Sequence, residues 1–204
     1  MSPDAEALLH WLEGRRSVRR FEDRPVPRTL LERILRSACM APSAHNRQPW
    51  RFAVVSVGEI RRRLTECMAA EFRGDLLADG LTESEVETRI ARGVDRLLHA
   101  PAAVVLCSTM AEMDHYADPR RDHAEWTMAL QSASLAGGQL LIAAHAEGLG
   151  GCWMCGPLFA PQAVRDALDL PADWEPQALI VLGWPAEQPA VRERRAFDDT
   201  VRWR

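Results

Sequence analysis

The chain has 204 residues, of which 26% are charged and 47% hydrophobic, and a net charge of −4; this is the make-up of one globular domain able to bury a core without disulfide or metal staples. All 25 basic residues are arginine, which excludes lysine Schiff-base chemistry and a phosphate loop ending in Gly-Lys-Ser/Thr. A mildly acidic balance with arginines spread along the chain argues against a nucleic-acid surface, so small molecules are the expected partners.

An amphipathic helix is expected from about Asp4 to Glu13, ending at Gly14. A second, from Pro27 to Met40, puts Leu30, Leu31, Ile34, Leu35 and Ala38 on one face. The run Trp50–Val57 reads as a buried strand, followed by an arginine-rich helix from about Glu59 to Phe72. Thr82 and Glu85 form a capping box opening a helix to about His99, and Ala102–Ser108 is a second buried strand. Asp118 and Pro119 have the chemistry of an N-cap and first helical residue, and apolar character sustained to about Gly148 predicts the longest helix of the chain.

Within that helix Ala129, Ala133 and Gly137 recur at steps of four, with Gly138 adjacent. Glycine costs about 1 kcal/mol relative to alanine in a helix, so something must offset it. The stripe is read as a close contact between two copies of the chain, with packing inside one chain as the alternative. A short strand near Gly151–Met154, a helix from about Pro161 to Leu168, a strand near Gln177–Gly183 and a polar tail, RERRAFDDTVRWR, complete the chain. No repeat, low-complexity tract or linker interrupts it, so one domain over residues 1–204 is expected. There is no uninterrupted apolar stretch of about 18 residues, and the N-terminus lacks a basic region followed by an apolar one; neither a membrane span nor a leader is expected. Five cysteines, at 39, 67, 107, 152 and 155, are an odd number and fit the reducing cytoplasm.

Several short constellations carry candidate chemistry. Arg15, Arg16, Ser17, Arg19 and Arg20 put four guanidiniums and a hydroxyl into six residues, forming either a phosphate fork or a solvated basic turn. The segment APSAHNRQPW (41–50) breaks a helix at Pro42 and gathers Ser43, His45, Asn46 and Gln48 into a polar loop before a strand. Asn46 is the only asparagine; its amide matches the mixed donor and acceptor edge of a pyrimidine-like ring, or else serves only the turn. Cys152-Trp-Met-Cys155 has redox spacing but no thioredoxin-like surround, and the other cysteines stand alone, so thiol exchange and zinc are set aside. His115 and His123, with Asp114 and Asp118, are either a metal cluster or a solvated loop, and no metal is expected. No HExxH, GxSxG or GxGxxG motif occurs, so hydrolase and Rossmann-type dehydrogenase readings lack their parts.

Taken in order, RRSVRRF at 15–21, APSAHNRQPW at 41–50, Gln131 ahead of Gly137, GLGGCWMCG at 148–156, VLGWPAE at 181–187 and the arginine tail resemble the nitroreductase family of FMN-dependent oxidoreductases. The resemblance spans nearly the whole chain. It implies an α+β fold with a mixed sheet wrapped by helices and a long central helix at the dimer interface. The implied homodimer carries FMN sites at that interface, with C-terminal tails reaching across the partner. Residue by residue, it implies that Arg15, Arg16 and Ser17 hold the FMN phosphate and one ring edge. Pro42, Ser43, Ala44 and Asn46 would line the flavin from the other subunit, together with its Gln131. Gly156, beside Cys155, would present a backbone N–H toward flavin N5, and Arg192 and Arg194 would complete the phosphate site.

FMN then carries the chemistry, and no side chain is expected to act as catalytic acid or nucleophile. The sequence departs from common bacterial members at Cys155, where many carry an acidic residue, and in lacking the lysines they use around FMN. HYADPRRDHAEWTM (115–128) and GPLFAPQAVRDALDLPADWEP (156–176) further resemble the reductase domain of the bifunctional γ-glutamyl ligase enzymes, which reduces the dehydro precursor of a deazaflavin coenzyme. The implied function is ping-pong hydride transfer from NAD(P)H or a similar donor, through FMN N5, to a small conjugated acceptor such as a nitroaromatic, a quinone or that precursor. The alternatives are a flavin- or deazaflavin-binding protein with little turnover, and a flavin-fragmenting enzyme like the dimethylbenzimidazole-forming relatives, which share similar RRxVRRF and QPW motifs.

Overall fold

The computed structural model describes residues 4–55 and 57–204. The reading of Met1 to Pro3 and the expected passage of the first strand through Ser56 lie outside the described residues. Strands β1 (Trp50–Val55), β2 (Ala102–Ser108), β3 (Gly150–Met154) and β4 (Glu175–Gly183) form one sheet in the order β1-β2-β4-β3, every named pair antiparallel. The α+β architecture is as expected, while the sheet itself is antiparallel rather than mixed, its one parallel pairing among the described residues being an isolated bridge between Ser17 and Gly151 that lays the RRSVRR segment along the β3 edge. The Val18 N–H donates to the Gly151 carbonyl at 3.1 Å beside it.

The central strands read as continuous apolar runs because helices cover both faces of the sheet. Ala103, Val105 and Cys107 of β2 and Leu179 and Val181 of β4 point into one core, which includes Leu64 of α3 (Glu59–Ala78) and Val164 of α6 (Pro161–Leu168). Val104, Ile180 and Leu182 point the other way, against Ile34 and Ala38 of α2 (Arg28–Ala38) and Leu140 and Ala144 of α5 (Pro119–Ala146). The remaining helices are α1 (Ala5–Gly14), α4 (Glu83–Leu98) and the four-residue α7 (Phe197–Thr200) in the tail. Asp4, Thr82 and Asp118 cap α1, α4 and α5, and Thr82 and Glu85 close the reciprocal capping box. The second helix ends at Ala38, short of Met40, because the approach to Pro42 disfavours further helical backbone. By contrast α3 runs to Ala78, past Phe72, since Leu76 in its added turn is buried and anchors it.

The small-residue stripe of α5 faces its own sheet, which corrects the reading of it as a contact between two copies. Ala129 and Ala133 are buried within the chain, and a Cβ on Gly137 would stand 2.4 Å from the Trp153 ring and 2.8 Å from Leu106. Gly138 has nothing within 4 Å of such an atom. Replacing Gly137 with alanine is therefore expected to destabilise the fold by about 1–3 kcal/mol despite alanine's better helix propensity, read as a shift of the urea midpoint.

Candidate active site

The structure sorts the expected site residues into two groups. In the first, Arg15, Arg16 and Ser17 leave α1 along the β3 edge, and the tail comes back beside them: Glu187 accepts the backbone N–H groups of Arg19 at 2.9 Å and Arg20 at 3.2 Å. Arg192 and Arg194 are thereby brought to the wall of a cleft of about 660 Å³ that Arg15, Arg16, Ser17, Arg19 and Arg20 also line. Adjoining it is a second cleft of about 520 Å³, more apolar, with Met68, Phe72, Ile90, Trp153, Cys155 and Gly156 in its walls. Arg19, Arg92 and Arg96 line both, so the two form one trough, basic at one end and apolar at the other.

Gly156 opens the 3-10 turn Gly156–Phe159, so its N–H has no acceptor within that turn. A side chain there would meet the Met68 methyl group at 2.6 Å, so the glycine keeps the wall open. The α4 arginines were not among the expected site residues. Arg89, Arg92 and Arg96 recur at i, i+3 and i+7, a spacing that signals one helix face, but only the fold shows what that face meets.

The second group lies elsewhere. The loop before β1 and the exit of β3 sit at the same end of the sheet but on opposite edges, three strand spacings apart, or about 14 Å. Pro42, Ser43, Ala44 and Asn46 line neither cleft, and Gln131 is exposed on α5. These residues are instead brought to one another: the Ala44 N–H donates to Ser132 Oγ at 3.2 Å, next to Gln131. Ser43 Oγ accepts the Gln48 N–H at 3.1 Å, and Gln48 Nε2 donates to Asn46 Oδ1 at 3.3 Å.

His45, Asn46 and Gln48 all have left-handed backbone, at φ 49°, 55° and 51°. Non-glycine residues there cost about 1–3 kcal/mol each and persist only where surroundings hold them. Part of the hold comes from the next loop, through Arg47–Asp114 at 2.8 Å and Arg51–Glu112 at 2.7 Å. The supposed metal cluster is dispersed: Asp114 takes Arg47, Asp118 caps α5, and His123 stacks on Trp126.

All five cysteines are free, and burial pushes the Cys107 thiol up to about 12 and raises that of Cys152. Cys152 faces the core, so it is a poor nucleophile, while Cys155 is exposed. Iodoacetamide on the folded protein is expected to label Cys39 and Cys155 and to spare Cys107 and Cys152, as peptide mass spectrometry would show.

Residues 12–184 match the nitroreductase family. The chain belongs to the nitroreductase family. Similarity to individual members runs nearly end to end. The chain is 33% identical over 198 residues to a 5,6-dimethylbenzimidazole synthase of Rhodospirillum rubrum, covering 92% of this chain and 85% of that protein. It is 32% identical over 216 residues to an NADH dehydrogenase of Thermus thermophilus, covering 93% and 92%. A crystal structure of a candidate nitroreductase from Desulfovibrio desulfuricans in complex with FMN superposes with a TM-score of 0.73 at 25% identity, over 95% of this chain and 94% of that one. Among the described residues, no helix of this nitroreductase-family protein is long and apolar enough to cross a membrane.

Proposed function

We propose that this protein is an FMN-dependent oxidoreductase that passes reducing equivalents from NAD(P)H or a similar donor to a small conjugated acceptor. The observation that carries this is the amphiphilic trough, whose arginine end suits a phosphate monoester and whose apolar end suits a ring system. Arg15, Arg16, Ser17, Arg192 and Arg194 would hold the phosphate, and Gly156 would offer its N–H to the ring. FMN when bound supplies the hydride chemistry, and no acid or nucleophile from the chain is required. The chain's part is to bind and orient; Met68, Phe72 and Trp153 would give the ring end its apolar lining. Donor and acceptor would use the open side in turn, giving parallel double-reciprocal plots. A nitroaromatic, a quinone or a dehydro deazaflavin precursor each fits the class of acceptor.

The second residue group supports a homodimer. Pro42, Ser43, Ala44, Asn46 and Gln131 lie outside their own chain's trough, and a partner would bring its copies to it. Unpartnered apolar surface supports the same arrangement: Leu8, Leu9 and Leu12 of α1 are exposed, as are Leu135 and Ile142 on the outer side of α5. Five free thiols accord with work in the cytoplasm. The deciding experiment is the visible spectrum of the purified protein with added FMN, then anaerobic NAD(P)H, with sedimentation velocity on the same sample. Flavin bands that bleach and a dimer mass support the proposal; no bound flavin after reconstitution overturns it.

Similarity to a 5,6-dimethylbenzimidazole synthase favours a second reading, fragmentation of the reduced flavin itself. Aerobic incubation of the reduced protein and analysis for dimethylbenzimidazole separates the two.

A further inference from the structure

The basic end of the trough carries more positive charge than FMN can neutralise. Eight arginines line it, at 15, 16, 19, 20, 92, 96, 192 and 194, against two carboxylates, Asp95 and Glu187. Both carboxylates are already engaged, Asp95 with His99 at 3.0 Å and Glu187 with two backbone N–H groups. Six net positive charges remain, and a phosphate monoester near neutral pH removes about two. A ninth guanidinium, Arg89, stands one helical turn along α4 in the apolar half. None of the nine makes an ion pair among the described residues, whereas Arg28, Arg33, Arg47, Arg51, Arg62, Arg73, Arg121 and Arg165 do. Unpaired like charges gathered in a cleft repel one another and are a focused attractant for an anion.

The excess has a location. Arg15, Arg16, Arg192 and Arg194 converge from the N-terminal segment and the tail, and suffice for one phosphate. Arg89, Arg92 and Arg96 come from a separate element, on one face of α4, and reach from the basic half into the apolar half. A row of that kind addresses an anionic group on a molecule that occupies the apolar half beside the cofactor.

We propose that α4 provides a second anion subsite, in which Arg89, Arg92 and Arg96 bind a phosphate, pyrophosphate or carboxylate group of a co-substrate. This rests on the FMN reading. The anion has two sources, the pyrophosphate of a nicotinamide donor or an acidic group on the acceptor, and both share the chemistry that guanidiniums recognise.

The test uses FMN-saturated protein and the R89Q/R92Q variant, both changes being at exposed positions of α4. Calorimetric titration with inorganic pyrophosphate is expected to show one site per chain in the parent and at least ten-fold weaker binding in the variant. Two kinetic pairs then identify the source: NADH against the uncharged donor 1-benzyl-1,4-dihydronicotinamide, and 4-nitrobenzoate against 4-nitrobenzamide. In one pair the variant is expected to lose about ten-fold more kcat/KM with the anionic member than with the neutral one, and 0.5 M salt should erode the parent's preference. Equal losses in both pairs, with no pyrophosphate site, overturn the proposal and leave these charges to a partner subunit's carboxylates. A variant that cannot be saturated with FMN also overturns it, since the α4 row would then belong to the FMN phosphate. Failure of the parent to bind FMN would instead defeat the cofactor reading, an outcome visible in the flavin spectrum before any anion is added.

Discussion

Arg61→Ala is expected to destabilise the fold by about 3–5 kcal/mol, measured as unfolding free energy in urea. Arg61 is 2% exposed on the sheet side of α3, and its Nη2 donates to the Val55 carbonyl at 2.9 Å while Nη1 donates to the Ala100 carbonyl. Val55 is the last residue of β1 and Ala100 lies two residues before β2, so the guanidinium ties together the ends of two neighbouring strands. Truncation strands both carbonyls in a dry place, at about 1–3 kcal/mol for each unsatisfied group, and opens a cavity besides. Burial lowers the Arg61 pKa, but an arginine starts from so high a value that the guanidinium keeps its proton, and it donates to two carbonyls. Arg61→Met is expected to recover the volume but not the carbonyl partners, so it should fall between parent and alanine variant. Equal stability of all three would show that water reaches the site and satisfies the carbonyls.

Arg16→Ala is expected to weaken FMN binding roughly 10- to 150-fold, the loss of about 1.5–3 kcal/mol for a charge-assisted phosphate contact. Arg16 is half-buried where α1 exits, with Nη1 donating to the Arg15 carbonyl at 2.9 Å and to that of Glu13. Those bonds pin the guanidinium against the chain at the cleft wall, so a ligand meets it without a large ordering cost. Fluorescence titration of FMN gives the affinity, and unchanged thermal unfolding of the apo-protein would separate lost binding from lost structure. Affinity equal to the parent would remove Arg16 from the phosphate site. The size of the effect should fall in high salt, because the neighbouring arginines share the field that attracts the phosphate.

Local chemistry settled much of this protein. Ala102–Ser108 and Pro161–Leu168 begin and end where the sequence places them, the first because six consecutive apolar residues before Ser108 leave no polar face and the second because Pro161 sets the helix start. Caps at Thr82 and Asp118 act within three residues of themselves, so they are legible from any short window. The run from Arg15 to Arg20 was legible as a dense cluster of guanidiniums for the same reason, since guanidinium chemistry does not depend on the fold.

Which surface each helix face meets depends on long-range packing. Ala129, Ala133 and Gly137 announce a close approach, but Trp153 and Leu106 of the chain's own sheet make that approach, and spacing cannot tell one neighbour from another. Arg61 sits among Arg62 and Arg63 with nothing in its chemistry to mark it; the sheet edge buries it and leaves Arg62 in solvent. Arg92 and Arg96 join Arg15 and Arg194 across long sequence separations because α4, the segment after α1 and the tail line the same cleft. Residue chemistry and local backbone depend on a few neighbours and can be read along the chain; burial and convergence depend on residues far apart in it and emerge only on folding.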